Sequence, residues 1–335
     1  MSTTFRTLAL SDVELHVLGA GTDLPSQVRA LLEQQKKTWP LLRSTYASLH
    51  NVRVRALDLE GFEILLQHNP ARLSSSTALV DADSIKARPC FLCADRLPAE
   101  QRAILFAGRY HILCNPYPIV HAHLTIANRD HVPQAIEGSV GDMLDLTRSL
   151  QPLFVVYNGP ASGASAPDHM HFQAGERGSL PLIRALPRLL DPNLDLHIIE
   201  RVSVIPVDLM VARFFALVSD EAVALERAIL FVRKGLDHQP GCEPMMNITA
   251  WFSAGVWTVI VFPRAKHRPS MYYADGTKRF LLSPAAIDCM GLCVVPRAED
   301  FDRLTPDMMK EMFAEILPSR AVFQGITGRI ASMRK

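Results

Sequence analysis

Between residues 24 and 48 the apolar positions Val28, Leu31, Leu32 and Trp39 recur at helical spacing, and Pro40 breaks or kinks that run. The pattern then changes period. Arg53 to Leu59 alternates polar with apolar, Phe62 to Gln67 follows after Gly61, and the two read as strands joined by a turn. Asn69-Pro70-Ala71-Arg72 and Ser74-Ser75-Ser76-Thr77 read as a polar loop. Strand, turn and strand follow over Tyr110–Cys114, Asn115–Pro118 and His121–Ile126, then a helical pattern over roughly 139–151 and a short buried strand at Phe154–Tyr157. A later hairpin, Asn247–Phe252 and Val256–Phe262, ends like the earlier one in a basic, proline-containing loop, here Pro263–Pro269. The spacing predicts helices over 219–235 and from Thr305, the N-cap, with Pro306 at the first helical position, to about Leu317. Two copies of a hairpin-plus-helix unit are therefore expected, the hairpin at 247–262 echoing the one at 110–126.

Length and composition narrow the class. At 335 residues, 48% hydrophobic and 21% charged, the chain has material for one large core or two domains. A net charge of +1 gives no electrostatic case for a nucleic-acid or membrane-surface partner. No apolar run reaches spanning length, and Met1–Arg6 does not open a secretion signal. Six scattered cysteines do not form a disulfide framework, so a reduced, cytoplasmic setting is expected.

The chemistry concentrates around Asp168-His169-Met170-His171-Phe172-Gln173. On an extended strand His169, His171 and Gln173 share one face while Met170 and Phe172 point into a core. The segment from Asn158 to Ser165 upstream is rich in small residues whose backbone N–H groups can approach phosphate. A neutral imidazole at His171 can attack phosphorus and form a phosphoramidate. Gln173 can then orient a phosphoryl oxygen, and Gly163, Ala164 and Ser165 can bind developing charge. Cys90 and Cys93, two residues apart, have the spacing of a thiolate pair for zinc, with His131 and His169 as the remaining ligands. His121 and His123, read as one strand face, compete with His131 for that role. Asn69 and Arg72 are candidates for nucleotide or phosphate contact, and Asn115 for ribose or base. Arg264 and Lys266, in a loop with His267 and Arg268, are candidates for the acceptor phosphate. Trp251, Trp257, Cys289 and Cys293 are read as structural.

Cys90-x-x-Cys93, the Asp130-His131 loop and Gly163-Ala164-Ser165 followed by His169-x-His171-x-Gln173 resemble the galactose-1-phosphate uridylyltransferase branch of the histidine-triad superfamily. That branch includes diadenosine tetraphosphate phosphorylases and GDP-L-galactose phosphorylase, and the string His169-Met170-His171-Phe172-Gln173-Ala174 is most similar to the last. The resemblance is good over about 85–180. It implies an α+β fold of two related antiparallel sheet-plus-helix halves. Residues 1–84 would be an N-terminal helix-and-strand extension, 85–200 the catalytic half and 201–335 a degenerate second half. It implies His171 as nucleophile, Gln173 as holder of the phosphoryl group, and a structural zinc on Cys90, Cys93, His131 and His169, with His169 anchoring His171 within about 7 Å. It also implies a homodimer.

Two departures stand out: Ala166-Pro167-Asp168 is one residue longer than the uridylyltransferase pattern, and Gln173 stands where the hydrolases place a third histidine. The second favours a transferase or phosphorylase. The expected activity is nucleotidyl transfer from a nucleoside-diphosphate sugar, a GDP-hexose foremost, to phosphate or a sugar phosphate. A diadenosine polyphosphate phosphorylase is the alternative, then a non-catalytic nucleotide-binding protein and a zinc-stabilised structural protein.

Overall fold

The structure, a computed structural model, describes residues 8–196 and 201–333, so the Met1–Arg6 stretch lies outside the described residues. The helices Leu24–Thr38 and Pro40–Leu49 meet at Trp39, as the proline dictates. The hairpin β1 (Arg53–Leu59) and β2 (Phe62–His68) follows. Next come β3 (Ala103–Phe106), β4 (Tyr110–Cys114) and β5 (Leu124–Asn128), the helix Val140–Ser149, then β6 (Leu153–Asn158) and β7 (His171–Glu176). The remaining strands are β8 (Ser203–Asp208) and β9 (Arg213–Ser219), then β10 (Met246–Ser253) and β11 (Val256–Pro263) beyond the helix Ala222–Gly235, and β12 (Leu292–Val295). Helices Pro306–Ile316 and Arg320–Ser332 complete the chain.

Among the described residues nine strands form one sheet in the order β3-β4-β5-β7-β6-β10-β11-β9-β8, and β1-β2-β12 form a second, smaller sheet. The repeat is now visible. Hairpin β4–β5, a helix and hairpin β6–β7 lie in the order 4-5-7-6, and β8–β9, a helix and β10–β11 lie in the order 8-9-11-10. The hairpin at 247–262 is therefore the counterpart of β6–β7, not of the hairpin at 110–126 that the sequence pairs it with. Hydrophobic pattern and a basic loop do not separate one hairpin from another; strand order does. The halves meet where β6 pairs antiparallel with β10, from Asn158 opposite Asn247 to Val155 opposite Ala250.

Both faces of the large sheet are covered, which is why a central strand such as β6 is buried at every position rather than at alternate ones. Along β6, Val155 and Tyr157 belong to a core shared with the Val140–Ser149, Ala222–Gly235 and Arg320–Ser332 helices. Phe154 and Val156 face the opposite core, shared with β1, β2, β12 and the Pro306–Ile316 helix. Trp251 and Trp257 are buried, as expected.

Three local expectations are corrected. The polar loop at 69–77 is two short helical turns, Pro70–Arg72 and Leu73–Ser76. Strand β5 starts at Leu124, so His121 and His123 precede it instead of sharing a strand face. Strand β7 starts at His171, and His169 lies in a turn whose N–H donates to Ala166 O. Met170 and Phe172 nevertheless point together into the core, as alternation requires.

Candidate active site

With Met170 and Phe172 committed to one core, His171 and Gln173 face the other side of the sheet. His171 is 2% exposed, and its backbone is fixed before its ring is considered. The buried side chain of Gln134 accepts from His171 N at 2.8 Å and donates to His171 O at 3.0 Å and Asn158 O at 2.9 Å. One amide thus pairs with His171 as a neighbouring strand residue would. The ring is fixed by His171 Nδ1, which lies 2.8 Å from His169 O. A carbonyl only accepts, so Nδ1 carries the proton and Nε2 holds the free lone pair. Burial pushes the imidazole down to about 4, so it is neutral near pH 7.

Cys90, Cys93, His131 and His169 place one ligand atom each within 4.8 Å of all the others. Cys90 Sγ is 3.3 Å from His169 Nδ1, and Cys93 Sγ is 3.3 Å from His131 Nδ1 and 3.7 Å from His169 Nδ1. Donors around a tetrahedral zinc lie about 3.5–3.8 Å apart, so the set fits with small adjustment. The outer nitrogen of His169 donates to Asn128 O at 2.8 Å, the orienting contact a ligating histidine needs. Burial, with Cys90 beside it, pushes the Cys93 thiol up to about 11, a cost a bound cation would reverse. Neither competing histidine belongs to the cluster. The His121 ring lies tilted against His50, centroids 5.6 Å apart, and His123 is fully buried elsewhere.

His171 lines a cavity of about 510 Å³ together with Arg72, Phe91, Asn115, Tyr117, Ser165 and Gln173. A polar chamber of about 70 Å³ adjoins it, and Arg72, Ser75, Ser165 and Gln173 border both. The chamber is closed by Asn158, Gly163, Ser283 and Asp288. Gly163 has φ +98°, and a Cβ there would lie 2.8 Å from Ala285 Cβ, so the loop needs glycine to pass the 283–288 segment. Ala164 is buried with its N–H on Gly159 O. Asn158 Oδ1 accepts from Asn247 Nδ2 at 2.8 Å and from Ala286 N at 2.9 Å, so the second half of the chain holds one wall.

The Asn-Pro-x-Arg segment has a precise mechanical role. Arg72 donates to Tyr117 O at 3.0 Å, Asn69 to Pro118 O at 2.9 Å and Gln67 to Ile119 O at 2.9 Å. Asn115 caps the same loop, its Oδ1 accepting from Tyr117 N and its Nδ2 donating to Thr125 Oγ1. Of these, Arg72 and Asn115 line the cavity and Asn69 does not. Arg264 and Lys266 lie apart from cavity and chamber. Arg264 is buried, with its guanidinium on Asn247 Oδ1 and on the carbonyls of Pro284, Ile316, Lys266 and His267, and Lys266 pairs with Glu315 at 2.9 Å. The basic loop therefore braces the fold. Sequence reasoning missed Gln134, Asn247 and Asp288, which carry no motif. It misread His123, although a histidine just ahead of an apolar strand is itself a signal.

The family described as "Domain of unknown function (DUF4922)" matches residues 31–176. No curated protein matches the chain. Among solved structures, yeast Ap4A phosphorylase Apa2 in complex with AMP aligns at a TM-score of 0.56 and 17% identity, covering 87% of this chain and 98% of that one. The same yeast enzyme in complex with Ap4A aligns at 0.50 and 16% identity, covering 84% and 97%. The chain thus has the α+β, antiparallel-sheet fold of that yeast enzyme over 87% of its length.

Proposed function

We propose that the protein transfers a nucleoside monophosphate by double displacement through His171. The observation that carries this reading is the pinned His171 ring: with Nδ1–H held by His169 O, the Nε2 lone pair is left for a cavity large enough for a nucleotide. Nε2 attacks the α-phosphorus, the bond to the bridging oxygen breaks, and the rest of the donor departs as a phosphate anion. The positive charge that forms on the ring is stabilised by the Nδ1–H contact. Arg72 and Gln173 neutralise and orient the phosphoryl oxygens between cavity and chamber. In the second step an oxygen of the acceptor attacks the phosphoramidate, the P–N bond breaks, and His171 returns to its neutral state.

A zinc ion held by Cys90, Cys93, His131 and His169 would be structural, fixing the turn that presents the His169 carbonyl. For the donor, the fold it shares with a phosphorylase solved with Ap4A and AMP supports a dinucleoside polyphosphate, with inorganic phosphate as acceptor. The His169-Met170-His171-Phe172-Gln173-Ala174 string keeps a GDP-hexose as the second donor class. The test is incubation with dinucleoside polyphosphates and nucleotide sugars, with and without phosphate, followed by intact-protein mass measurement. A nucleoside monophosphate adduct on His171, discharged by phosphate, is expected. Absence of any adduct and any phosphorolysis across the panel overturns the proposal.

A further inference from the structure

His123 is 0% exposed, yet both its ring nitrogens are engaged. Nδ1 lies 3.2 Å from the backbone nitrogen of Ile119, and Nε2 lies 3.0 Å from Gln173 Oε1. A backbone N–H only donates, so Nδ1 must accept, and the ring proton must sit on Nε2. From there it donates to the Gln173 oxygen. That fixes which end of an otherwise ambiguous amide faces the cavity: the oxygen is turned to His123, and the two N–H groups are left for the space bordered by Arg72 and Ser165.

The chain of contacts begins on rigid ground. The carbonyls of Tyr117, Pro118 and Ile119 are held by Arg72, Asn69 and Gln67, so the Ile119 N–H is presented in a fixed direction. Burial, with the Arg72 charge adding, pushes the imidazole down to about 3, so the ring holds a single proton across the neutral range.

We infer that His123 is a positioning residue that polarises the Gln173 amide, so that Gln173 meets phosphoryl oxygens as a donor and not as an acceptor. This rests on the nucleotidyl-transfer reading and adds to it a selector for anionic oxygen. With Oε1 facing the cavity, the same glutamine would repel a phosphoryl group; with the N–H groups there, it adds two donors beside a guanidinium at no reorganisation cost.

Three measurements test it. Nitrogen-15 spectroscopy of the wild-type protein reads the His123 tautomer directly, and protonation on Nε2 is expected; protonation on Nδ1 overturns the relay. Calorimetric affinity for AMP is measured for His123→Phe, His123→Gln, Gln173→Ala and the His123→Phe/Gln173→Ala double variant, with thermal melts run alongside. His123→Phe weakens AMP about ten-fold, as for a lost hydrogen bond to a charged group. His123→Gln, which places an amide N–H near the Nε2 position, restores most of it. In the Gln173→Ala background His123→Phe changes affinity by less than about two-fold, the non-additivity of residues acting in series. An equal loss in both backgrounds, or no loss in either, overturns the relay. Should His123→Phe fail to fold, the tautomer and the glutamine variant still decide. AMP binding that shows the coupling in a protein that forms no adduct sinks the transfer reading and leaves the relay standing. No AMP binding to the wild type sinks the relay.

Discussion

His171 Nδ1 lies 2.8 Å from the carbonyl oxygen of His169, the residue whose own Nδ1 sits 3.3 Å from Cys90 Sγ. One histidine in the four-residue thiol–imidazole cluster thus sets, through its backbone, the tautomer of the other. Side-chain chemistry at the cluster and side-chain chemistry at the cavity share the three-residue segment His169–His171, and each can be perturbed separately.

Replacing His171 by alanine removes the proposed nucleophile while leaving the cluster intact. We expect loss of the covalent adduct and a fall in turnover of roughly a thousand-fold or more, with metal content and melting temperature close to wild type. Rapid-quench assays and elemental analysis of one sample check both halves; an adduct that persists refutes the assignment.

Elemental analysis of the wild type should return about one zinc per chain. Cys90→Ala and Cys93→Ala should lose it. Strong chelation should lower the melting temperature by about 5 °C or more, because a ligand bound only to the folded state stabilises it by mass action. Melts with and without chelator read the outcome, and identical curves for a zinc-loaded sample would count against a structural metal.

Gln134→Ala strips three hydrogen bonds from the backbone of His171 and Asn158 at once. Leaving those buried groups unpaired should cost about 1–3 kcal/mol in urea unfolding. Turnover should fall further than stability implies, because β7 is released where the proposed nucleophile sits. Gln134→Glu, which keeps the acceptor but not the donor, should fall between.

The Asp288 carboxyl closes the polar chamber, and burial pushes it up to about 6 from an ordinary value of 3.8. The sign follows directly. A group whose folded value is raised favours folding when protonated, so its contribution is full below about 4 and is lost as pH climbs through about 6. Asp288→Asn cannot ionise. The stability of the wild type relative to this variant should therefore decline between pH 4 and pH 7 and level off above, as denaturant midpoints across that window would show.

Local pattern carried most of the first half of the chain. Alternation at Arg53–Leu59, Pro40 between two helices and the inward Met170 and Phe172 all follow from period and steric rules acting on neighbours. Strands β3, β8, β9 and β12 were not legible in the same way. They are short or buried on both faces, and a four-residue apolar run such as Leu292–Val295 has no period of its own. The thiol–imidazole cluster was readable because two cysteines at C-x-x-C spacing with histidines nearby form a metal-type pattern of residue types and spacing. Gln134 and Asp288 were not, since a side chain that hydrogen-bonds backbone needs only position, which the fold supplies and the sequence does not announce. His123 falls between, visible as a histidine but assigned wrongly because β5 begins one residue beyond it.

The β6–β10 seam has a consequence for how such a sheet survives dilution. Two separate chains pairing along four residues, Val155 to Asn158 against Asn247 to Ala250, would come apart below their dissociation constant. Joined covalently, the partner edge is always at high local concentration, and the pairing holds at any protein level. The second half supplies that edge and, with the Asn247 amide on Asn158 Oδ1, one wall of the chamber. In the sheet it stands where a second subunit would, permanently attached.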